Sequence, residues 1–468
     1  MYVKLIQPKM RMRPMDTELK TRMSPHLGLM TVAGILRDSG MVSRIEIENE
    51  NIRTVTLDDR PDLVGITVTV DVLLRAVELA QKFREQGIPV VAGGIHITTA
   101  ADSVPEDAFD SLIVGAAEGT WPEILQDVKA GLELDGKAGS RLKKVYRCRP
   151  DITGADLRRP AYDMMKKDGY LYCNIVSTSR GCPYRCDFCY NSSRRRRYVN
   201  RPVEDVLTDI QAIGMKHIMF IDDNFIGNPA WTRELVRAIK PMNLKWNAAV
   251  SANILDMPNL LDEMRDSGCQ SLFVGFESVN PKAVEGVHKV QNRVEQYDAL
   301  VEALHSRGIM INASFVFGLD GDTKETFRAT LDWIIKNRIE TVTSHILTPY
   351  PGTALYERME RAGRLTSRFL ADYNTAHVVF QPDGMTAEEL QEGYLWMYRK
   401  IYSFRNILRR MPRGKVCRKQ IPAYLAFNLL YRKFGRFSNV LCRIVGFQRI
   451  GRWGQVLAHY PGKKAGKS

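Results

Sequence analysis

Twice along this chain, short β-branched runs alternate with stretches of helical periodicity, a pattern that builds parallel α/β layers and little else. The first series has strand-like runs at residues 3–7, 43–47, 63–67, 89–92 and 111–114, with helical stretches at 28–39, 73–85 and 121–129. It predicts a doubly wound, Rossmann-like domain over residues 1–134, whose ligands belong in the turns beyond the carboxyl ends of the strands. Those turns are Ser24-Pro-His-Leu-Gly28, Thr67-Val-Thr-Val-Asp71, Gly93-Gly-Ile-His96 and Gly115-Ala-Ala-Glu118. Paired glycines after a strand let a ligand approach the backbone or simply make a tight turn, and His96 on its own reads as a surface or capping histidine before it reads as a ligand.

Residues 135–165 lose periodicity and gain charge, as a linker does. The second series, at 174–177, 218–221, 245–250, 271–276, 310–316 and 341–346, is interleaved with helical stretches such as 204–213 and 292–306. Six βα repeats of this length predict a TIM-type barrel or partial barrel over 166–380, with its chemistry at the carboxyl ends of the strands. A helix over 385–404 then leads into a basic tail, so 381–468 is expected to be a mainly helical C-terminal region.

The 468 residues suffice for about three domains at roughly 150 each, and 44% hydrophobic with 26% charged residues excludes a disordered or collagen-like chain. The first residues carry no apolar stretch of the ~7 to 15 residues of a signal peptide, and no run reaches the ~18 of a membrane span. The expectation is a cytoplasmic protein. Its net charge of +14 is unevenly placed: residues 401–468 hold sixteen Lys or Arg and no Asp or Glu, so the tail's +16 leaves −2 for residues 1–400. The tail also carries Tyr424, Phe427, Leu429, Leu430, Tyr431, Phe434, Phe437, Phe447 and Trp453. That mixture suits either peripheral contact with an anionic membrane or a basic helical cap with its aromatics turned inward. A nucleic-acid role is not expected, because the body of the chain is nearly neutral. The Arg194-Arg-Arg-Arg197 run reads as a solvated face or as a grip on an anionic substrate.

The most specific chemistry lies directly after the first barrel strand, in Ser179-Arg-Gly-Cys182-Pro-Tyr-Arg-Cys186-Asp-Phe-Cys189-Tyr190. Eight cysteines are too few for a disulfide scaffold in a chain this long, but three within eight residues can converge on one metal centre from a single loop. Three thiolates leave one iron of a four-iron cubane open to a small molecule. A structural zinc site takes four ligands, and no C-x2-C or H-x3-H partner is near. Cys173 would stand at the start of the strand, away from the loop. A non-catalytic iron-sulfur protein would close its cluster with a fourth cysteine.

On this loop the chain resembles the radical S-adenosylmethionine (SAM) enzymes. Their signature is this cysteine spacing after the first strand of a partial (β/α)6 barrel, with an aromatic, here Phe188, before the last cysteine. Later strand ends also resemble that family: Ile221-Asp222-Asp223-Asn224-Phe225, Gly275-Phe-Glu277-Ser278, Phe317-Gly318-Leu-Asp-Gly-Asp322 and Thr348-Pro-Tyr-Pro-Gly-Thr353. The resemblance implies that Cys182, Cys186 and Cys189 hold a 4Fe-4S cluster whose fourth iron is chelated by SAM. An electron from a flavodoxin- or ferredoxin-type donor would then cleave SAM to methionine and a 5′-deoxyadenosyl radical. It further implies acceptors for the SAM amino group at Asp222 and Asp223, for the ribose hydroxyls at Glu277, and close approach of adenine at Gly318. The family's frequent Gly-Gly-Glu after the second strand is Asp-Asp-Asn here, a variant that resembles cobalamin-linked members.

The first domain is similar to the cobalamin-binding domain that precedes the barrel in one large subclass of that family. The similar pieces are Pro25-His-Leu-Gly-Leu29, Asp62-Leu-Val-Gly-Ile-Thr-Val68, Val91-Ala-Gly-Gly-Ile-His96 and Val114-Gly-Ala-Ala-Glu-Gly-Thr-Trp121. No Asp-x-His-x-x-Gly motif is present to ligate cobalt, so either cobalamin binds without a histidine below the metal or the domain is a vestige that has lost it. The candidate contacts are Thr67, Gly93, Gly94, His96, Gly115 and Glu118. The implied reaction is methylation of an unactivated carbon in a small molecule of lipid-like, tetrapyrrole or other secondary-metabolite type, by hydrogen abstraction, methyl transfer from methylcobalamin, and remethylation of cobalt by a second SAM. Placement is the protein's part in such chemistry, and no proton-transfer residue is nominated. Cyclisation, rearrangement or oxygenation by the same radical is the alternative. Transfer-RNA methylthiotransferases carry a second cysteine triad in their amino-terminal domain, whereas the first cysteine here is Cys148.

Overall fold

The computed structural model describes residues 1–13, 16, 18–149, 151–192, 198–413, 421–431, 444–445 and 449. The arginine run 194–197 lies outside them, as do Phe434, Phe437, Phe447 and Trp453 of the tail. The amino-terminal half is β1 (Tyr2–Gln7), α1 (Glu18–Thr21), α2 (Leu27–Asp38), β2 (Arg44–Asn49), β3 (Leu63–Thr67), α3 (Leu73–Arg84), β4 (Val90–Gly93), α4 (Ile95–Ala100), β5 (Ser111–Val114), α5 (Trp121–Asp135) and β6 (Val145–Arg147). The six strands make one parallel sheet in the order β2-β1-β3-β4-β5-β6.

Successive side chains of a strand point to opposite faces, and here they divide between two cores. Leu5, Leu63 and Val91 pack with Leu29 of α2 and Trp121 and Ile124 of α5, whereas Ile6, Val64 and Val90 pack with Leu79 and Phe83 of α3. Apolar side chains on both faces are what double winding requires. The strand order reverses between β1 and β3, so a crevice opens at the carboxyl ends of these two strands. Residues 135–165, read as a linker, contribute β6 at the edge of this sheet.

The second sheet comprises β7 (Ile175–Val176), β10 (His217–Phe220), β11 (Lys245–Ser251), β12 (Cys269–Glu277), β13 (Met310–Phe317) and β14 (Thr341–Ile346), parallel throughout, with β7 and β14 at its edges. A small antiparallel pair, β8 (Ser179–Arg180) and β9 (Val199–Asn200), brackets the cysteine loop. The helices between strands are α6 (Val203–Ile213), α7 (Pro229–Ile239), α8 (Pro258–Asp266), α9 (Pro281–Glu285), α10 (Tyr297–Ser306), α11 (Lys324–Lys336) and, after β14, α12 (Ala354–Arg361). Trp246, Ala248 and Val250 of β11 belong to the main core with Leu272, Val274 and Phe276 of β12 and Ile311, Ala313 and Phe315 of β13. The alternate positions, among them Asn247, Ser251, Ser271, Asn312 and Ser314, share the inner face. A closed eight-stranded barrel fills its interior with branched side chains; this six-stranded wall presents a polar lining instead, suited to a polar ligand.

The next helix, α13 (Ala387–Ile401), starts at a capping box between Thr386 and Glu389 and buries Leu390, Tyr394, Met397 and Ile401 in the barrel's own core. After α14 (Phe404–Arg409) comes α15 (Ile421–Tyr431). Buried Arg410 donates to the Ile339 and Glu340 carbonyls and to Asn428 Oδ1, and the Tyr424 hydroxyl donates to the Ile407 carbonyl. The described part of the tail is therefore a cap with Tyr424 turned inward, while Phe427 and Leu429 stay partly exposed. No helix among the described residues is long and apolar enough to cross a membrane.

Candidate active site

The cysteine loop is fixed at its stem before it reaches Cys182. Oδ1 of Asp222, just beyond β10, accepts hydrogen bonds from the Thr178 amide (2.8 Å), the Ser179 amide (2.5 Å) and Ser179 Oγ (2.7 Å). The side chain is so enclosed that burial lifts its carboxyl to about 6 despite these donors. Further along, Asp187 pairs with Arg358 of α12 (2.6 Å), its amide donates to the Val287 carbonyl, and its own carbonyl accepts from the Leu355 amide. A chain of hydrogen bonds from Asn224 through Ser251 and Asn253 ends on the Tyr184 hydroxyl, inside the loop.

Burial raises all three loop thiols, that of Cys189 to about 11. Neighbouring thiolate charge adds to this, from Cys186 on Cys182 and from both on Cys189, so the sulfurs share one neighbourhood. N–H donors meet them there: Gln291 Nε2 lies 3.6 Å from Cys186 Sγ and the Asn191 amide 3.4 Å from Cys189 Sγ. Thiols this enclosed become ligands when a metal centre supplies the positive charge, and hydrogen bonds to sulfur are a regular feature of iron-sulfur sites. Among the described residues no three His, Cys, Asp or Glu gather tightly enough to hold a single ion, so there is no preformed mononuclear zinc site. Cys173 is fully buried at the foot of β7 with its thiol on the Lys167 carbonyl (3.5 Å). The donor set fits a polynuclear cluster with one position left over. Phe188 packs against the barrel core beside it.

The other strand ends differ from expectation in instructive ways. Of the two carboxylates assigned to the SAM amino group, Asp222 commits Oδ1 to the loop's stem and keeps a buried Oδ2 without a partner among the described residues. Asp223 is exposed and close enough to raise Cys182 and Cys189, so it is the one facing the loop. Glu277, expected free for ribose hydroxyls, is ion-paired with nearly buried Lys289, and Ser314 Oγ lies 3.5 Å from its other oxygen. Its backbone is left-handed at φ 65°, a conformation costing ~1–3 kcal/mol in a non-glycine residue. Lys289 also lies close enough to lower Cys182 and Cys186. At Gly318, with φ 92°, a Cβ would meet Leu390 at 2.6 Å and Phe380 at 3.2 Å, so the glycine admits α13. On the inner face, Asn247 Oδ1 is buried without a partner among the described residues, as is Gln291 Oε1 beside the loop. A bound amino or hydroxyl group would satisfy such acceptors.

Asp322 closes the turn after β13 by accepting from the Gly318 amide (3.0 Å) and the Leu319 amide (3.1 Å), while its Oδ1 is buried without a partner. Burial lifts this carboxyl to about 7 from the ordinary 3.8. Because the folded form then holds its proton more tightly than the unfolded one, stability falls as pH rises between about 4 and 7 and levels off above. Asp322→Asn keeps the acceptor and removes the charge. Its melting temperature is expected to exceed that of the wild type at pH 8 and to match it near pH 4; equal differences at both values would refute the assignment.

In the first domain, the carboxyl ends of β1, β3 and β4 and the start of α2 meet at the crevice. His26 caps α2 by accepting the Leu29 amide at Nδ1 (3.2 Å), which leaves Nε2 to donate to Thr67 Oγ1 (3.4 Å). A Cβ on Gly94 (φ 112°) would strike the Val68 backbone at 2.8 Å, and one on Gly115 would strike Cys148 Cβ at 2.6 Å. Both glycines serve chain packing, and Gly93 ends β4 beside them. His96 is neither surface nor cap: it is fully buried within α4, its Nε2 3.1 Å from Ser103 Oγ, and burial lowers it to about 4. Glu118 is bound in both oxygens by Arg180 of the cysteine-loop stem (2.7 and 2.8 Å). Gln7, at the end of β1, holds a buried Oε1 with no partner among the described residues, an acceptor that the corrin's amide side chains would fit. Between the domains, Tyr190 stacks on Tyr350 with ring centroids 4.1 Å apart, and Asp71 and Cys189 both lie near enough to raise Tyr350.

Comparison with known proteins agrees with this geometry. The B12 binding domain family matches residues 21–125, the Radical SAM superfamily residues 176–334, and a domain of unknown function residues 353–451. The bacteriochlorophyllide d C-12(1)-methyltransferase of Chlorobaculum tepidum is 31% identical over 75% of this chain and 76% of its own. The chain belongs to the cobalamin-binding subclass of radical SAM enzymes. Its cofactors are a 4Fe-4S cluster, SAM and cobalamin. The hopanoid C-2 methylase of Rhodopseudomonas palustris is 27% identical over 73% of this radical SAM enzyme and 65% of its own length. The fold is shared end to end with the methyltransferase TsrM from Kitasatospora setae, solved with cobalamin and a 4Fe-4S cluster: TM-score 0.64, 17% identity, covering 97% of the enzyme and 98% of TsrM.

Gln7, Arg180, Tyr190, Asn247, Lys289, Gln291 and Tyr350 are among the site residues that sequence reasoning did not nominate. Arg180 and Tyr190 flank the cysteine motif and Tyr350 lies in the Pro-Tyr-Pro turn, so adjacency was a usable signal. Gln7, Lys289 and Gln291 carry no local signature.

Proposed function

We propose that the enzyme methylates an unactivated carbon of a small-molecule substrate of the tetrapyrrole or lipid-like class. The observation that carries this reading is the union, in one chain, of a cobalamin-type crevice and a three-cysteine loop joined through the Glu118–Arg180 ion pair. When bound, the cluster and SAM supply the 5′-deoxyadenosyl radical and cobalamin supplies the methyl group. Cys182, Cys186 and Cys189 hold the cluster; Asp223, Gln291 and Asn247 offer acceptors for SAM; Thr67 and Gln7 face the cobalamin. The relatives that methylate bacteriochlorophyllide and hopanoids support the substrate class. The reductant is a flavodoxin- or ferredoxin-type protein. Anaerobic reconstitution with iron, sulfide and hydroxocobalamin tests the reading: one corrinoid is expected to be retained per chain and 5′-deoxyadenosine released on reduction with SAM. Loss of all corrinoid on desalting would overturn methyl transfer and leave radical rearrangement, cyclisation or oxygenation.

The C-terminal cap also touches anionic membrane. Phe404 (55% exposed) and Leu408 (62%) stand one turn apart on α14 beside Arg405 and Arg409, and the uncharged α15 leaves Phe427 and Leu429 partly exposed. Phosphatidylglycerol vesicles are expected to sediment the protein at low salt and phosphatidylcholine vesicles to leave it in solution. Phe404→Ser with Leu408→Ser should weaken the retention; equal binding to both lipids would refute the electrostatic part.

A further inference from the structure

We propose that the Glu118–Arg180 pair couples the two cofactor sites, carrying occupancy of the cobalamin crevice to the stem of the cysteine loop. The inference rests on the reading that this crevice holds cobalamin. Glu118 lies in the turn directly after β5, on the carboxyl edge of the first sheet, where a ligand of this fold is seated. Its side chain is 3% exposed and held in both oxygens: Oε1 accepts from Arg180 Nη2 and from the Arg158 amide (3.3 Å), Oε2 from Arg180 Nη1. Burial alone would raise this carboxyl, yet the guanidinium holds it below its ordinary value. Both of its oxygens are engaged by Arg180, so its main commitment is to the other domain.

Arg180 stands two residues before Cys182, with left-handed Gly181 (φ 82°) between them. On its other side, Asp222 clamps the Thr178 and Ser179 amides to the barrel. The stem is thus held from below by the barrel and from the side by the first domain. A bidentate carboxylate–guanidinium pair fixes orientation as well as distance. A shift of the β5 turn on ligand binding is therefore passed to the plane of Arg180, and from there to Cys182, instead of being absorbed by a mobile single contact. Coupling of this kind is reciprocal: if cobalamin orders the stem, a loaded cluster must tighten cobalamin binding by the same factor.

Hydrogen–deuterium exchange on the cluster-loaded enzyme, under anaerobic conditions and with hydroxocobalamin as the probe, tests this directly. In the wild type, hydroxocobalamin is expected to slow exchange at the crevice, residues 93–98, and also at the stem, residues 178–182. In Glu118→Gln the crevice protection should remain and the stem protection vanish. The hydroxocobalamin Kd of cluster-free enzyme should exceed that of cluster-loaded enzyme by about fivefold or more in the wild type, and the ratio should fall to near one in the variant. Arg180→Lys, which keeps the charge and loses the fork, should reproduce the loss and guards against a folding defect peculiar to Glu118→Gln. Stem protection that persists in both variants would reduce the pair to an inert brace. Loss of crevice protection together with hydroxocobalamin binding in Glu118→Gln would make Glu118 a direct contact; either result overturns the proposal. An unprotected crevice in the wild type would instead refute the cobalamin reading itself.

Discussion

Cys186→Ala is expected to abolish 5′-deoxyadenosine release and to leave the folded chain intact. Cys186 is the most enclosed of the three loop cysteines by solvent exposure, and its sulfur is the one met by Gln291 Nε2 at 3.6 Å. Removing it leaves two thiols, too few to hold a cubane while one iron stays open to SAM. The backbone of the loop, by contrast, is anchored through Asp222, Asp187 and Tyr184, none of which depends on that sulfur. Gln291→Leu removes the hydrogen bond to sulfur together with the Oε1 acceptor offered to SAM, and partners of the first kind cost about 10- to 100-fold in metal affinity. It should retain a cluster at high iron and sulfide and lose it on dilution. Cys173→Ala touches a thiol committed to the Lys167 carbonyl at the foot of β7, so it should keep full iron content and lose only ~1–2 kcal/mol of stability. Iron and sulfide per chain, with chromatographic assay of the nucleoside, separate the three. Normal turnover by Cys186→Ala, or an iron-free Cys173→Ala, would remove the three-cysteine assignment.

The parts of this site legible in sequence are those where chemistry and chain order coincide. Both sheets follow from hydrophobic period, because buried parallel strands need apolar residues on both faces or facing the helices, and Leu5 with Ile6 or Trp246 with Ala248 show it residue by residue. The cysteine triad was legible because all its ligands lie on one short loop. The strand-end carboxylates were legible as positions and not as roles. Asp222 and Glu277 sit where ligand-binding acids belong, but each had a competing partner, the loop amides in one case and Lys289 twelve residues downstream in the other. A one-dimensional reading cannot weigh such competition, since the partner's reach depends on tertiary packing. The glycines show the same limit. Gly94, Gly115 and Gly318 all mark places without room for a Cβ, but the excluded neighbour in each case is protein: Val68, Cys148 and Leu390. Glu118 was singled out from its turn, yet its partner Arg180 comes from the other domain, 62 residues away.

Asp222→Ala is expected to strip the cluster from an otherwise folded enzyme, a loss comparable in effect to that of a cysteine ligand although Asp222 touches no metal. Its Oδ1 is the common acceptor for two backbone amides and one hydroxyl of the loop's stem, in a site where Asp222 is 4% exposed and Thr178 wholly buried. Leaving buried donors unmatched costs about 1–3 kcal/mol each. With two orphaned amides the stem loses roughly 2–6 kcal/mol by the same rule, enough to convert one conformation of residues 178–182 into an ensemble. The sheets do not depend on those bonds, because β7 and β10 pair through their own backbones. The melting transition should therefore fall modestly while iron content drops to a small fraction of the wild-type value. Asp222→Asn keeps an acceptor at Oδ1, places its amide nitrogen where Oδ2 already lacks a partner, and removes a carboxyl that burial has lifted to about 6. It should hold most of its iron. If Asp222 instead served only the SAM amino group, both variants would keep the cluster and differ from the wild type in SAM affinity alone, and measured iron content distinguishes the two roles.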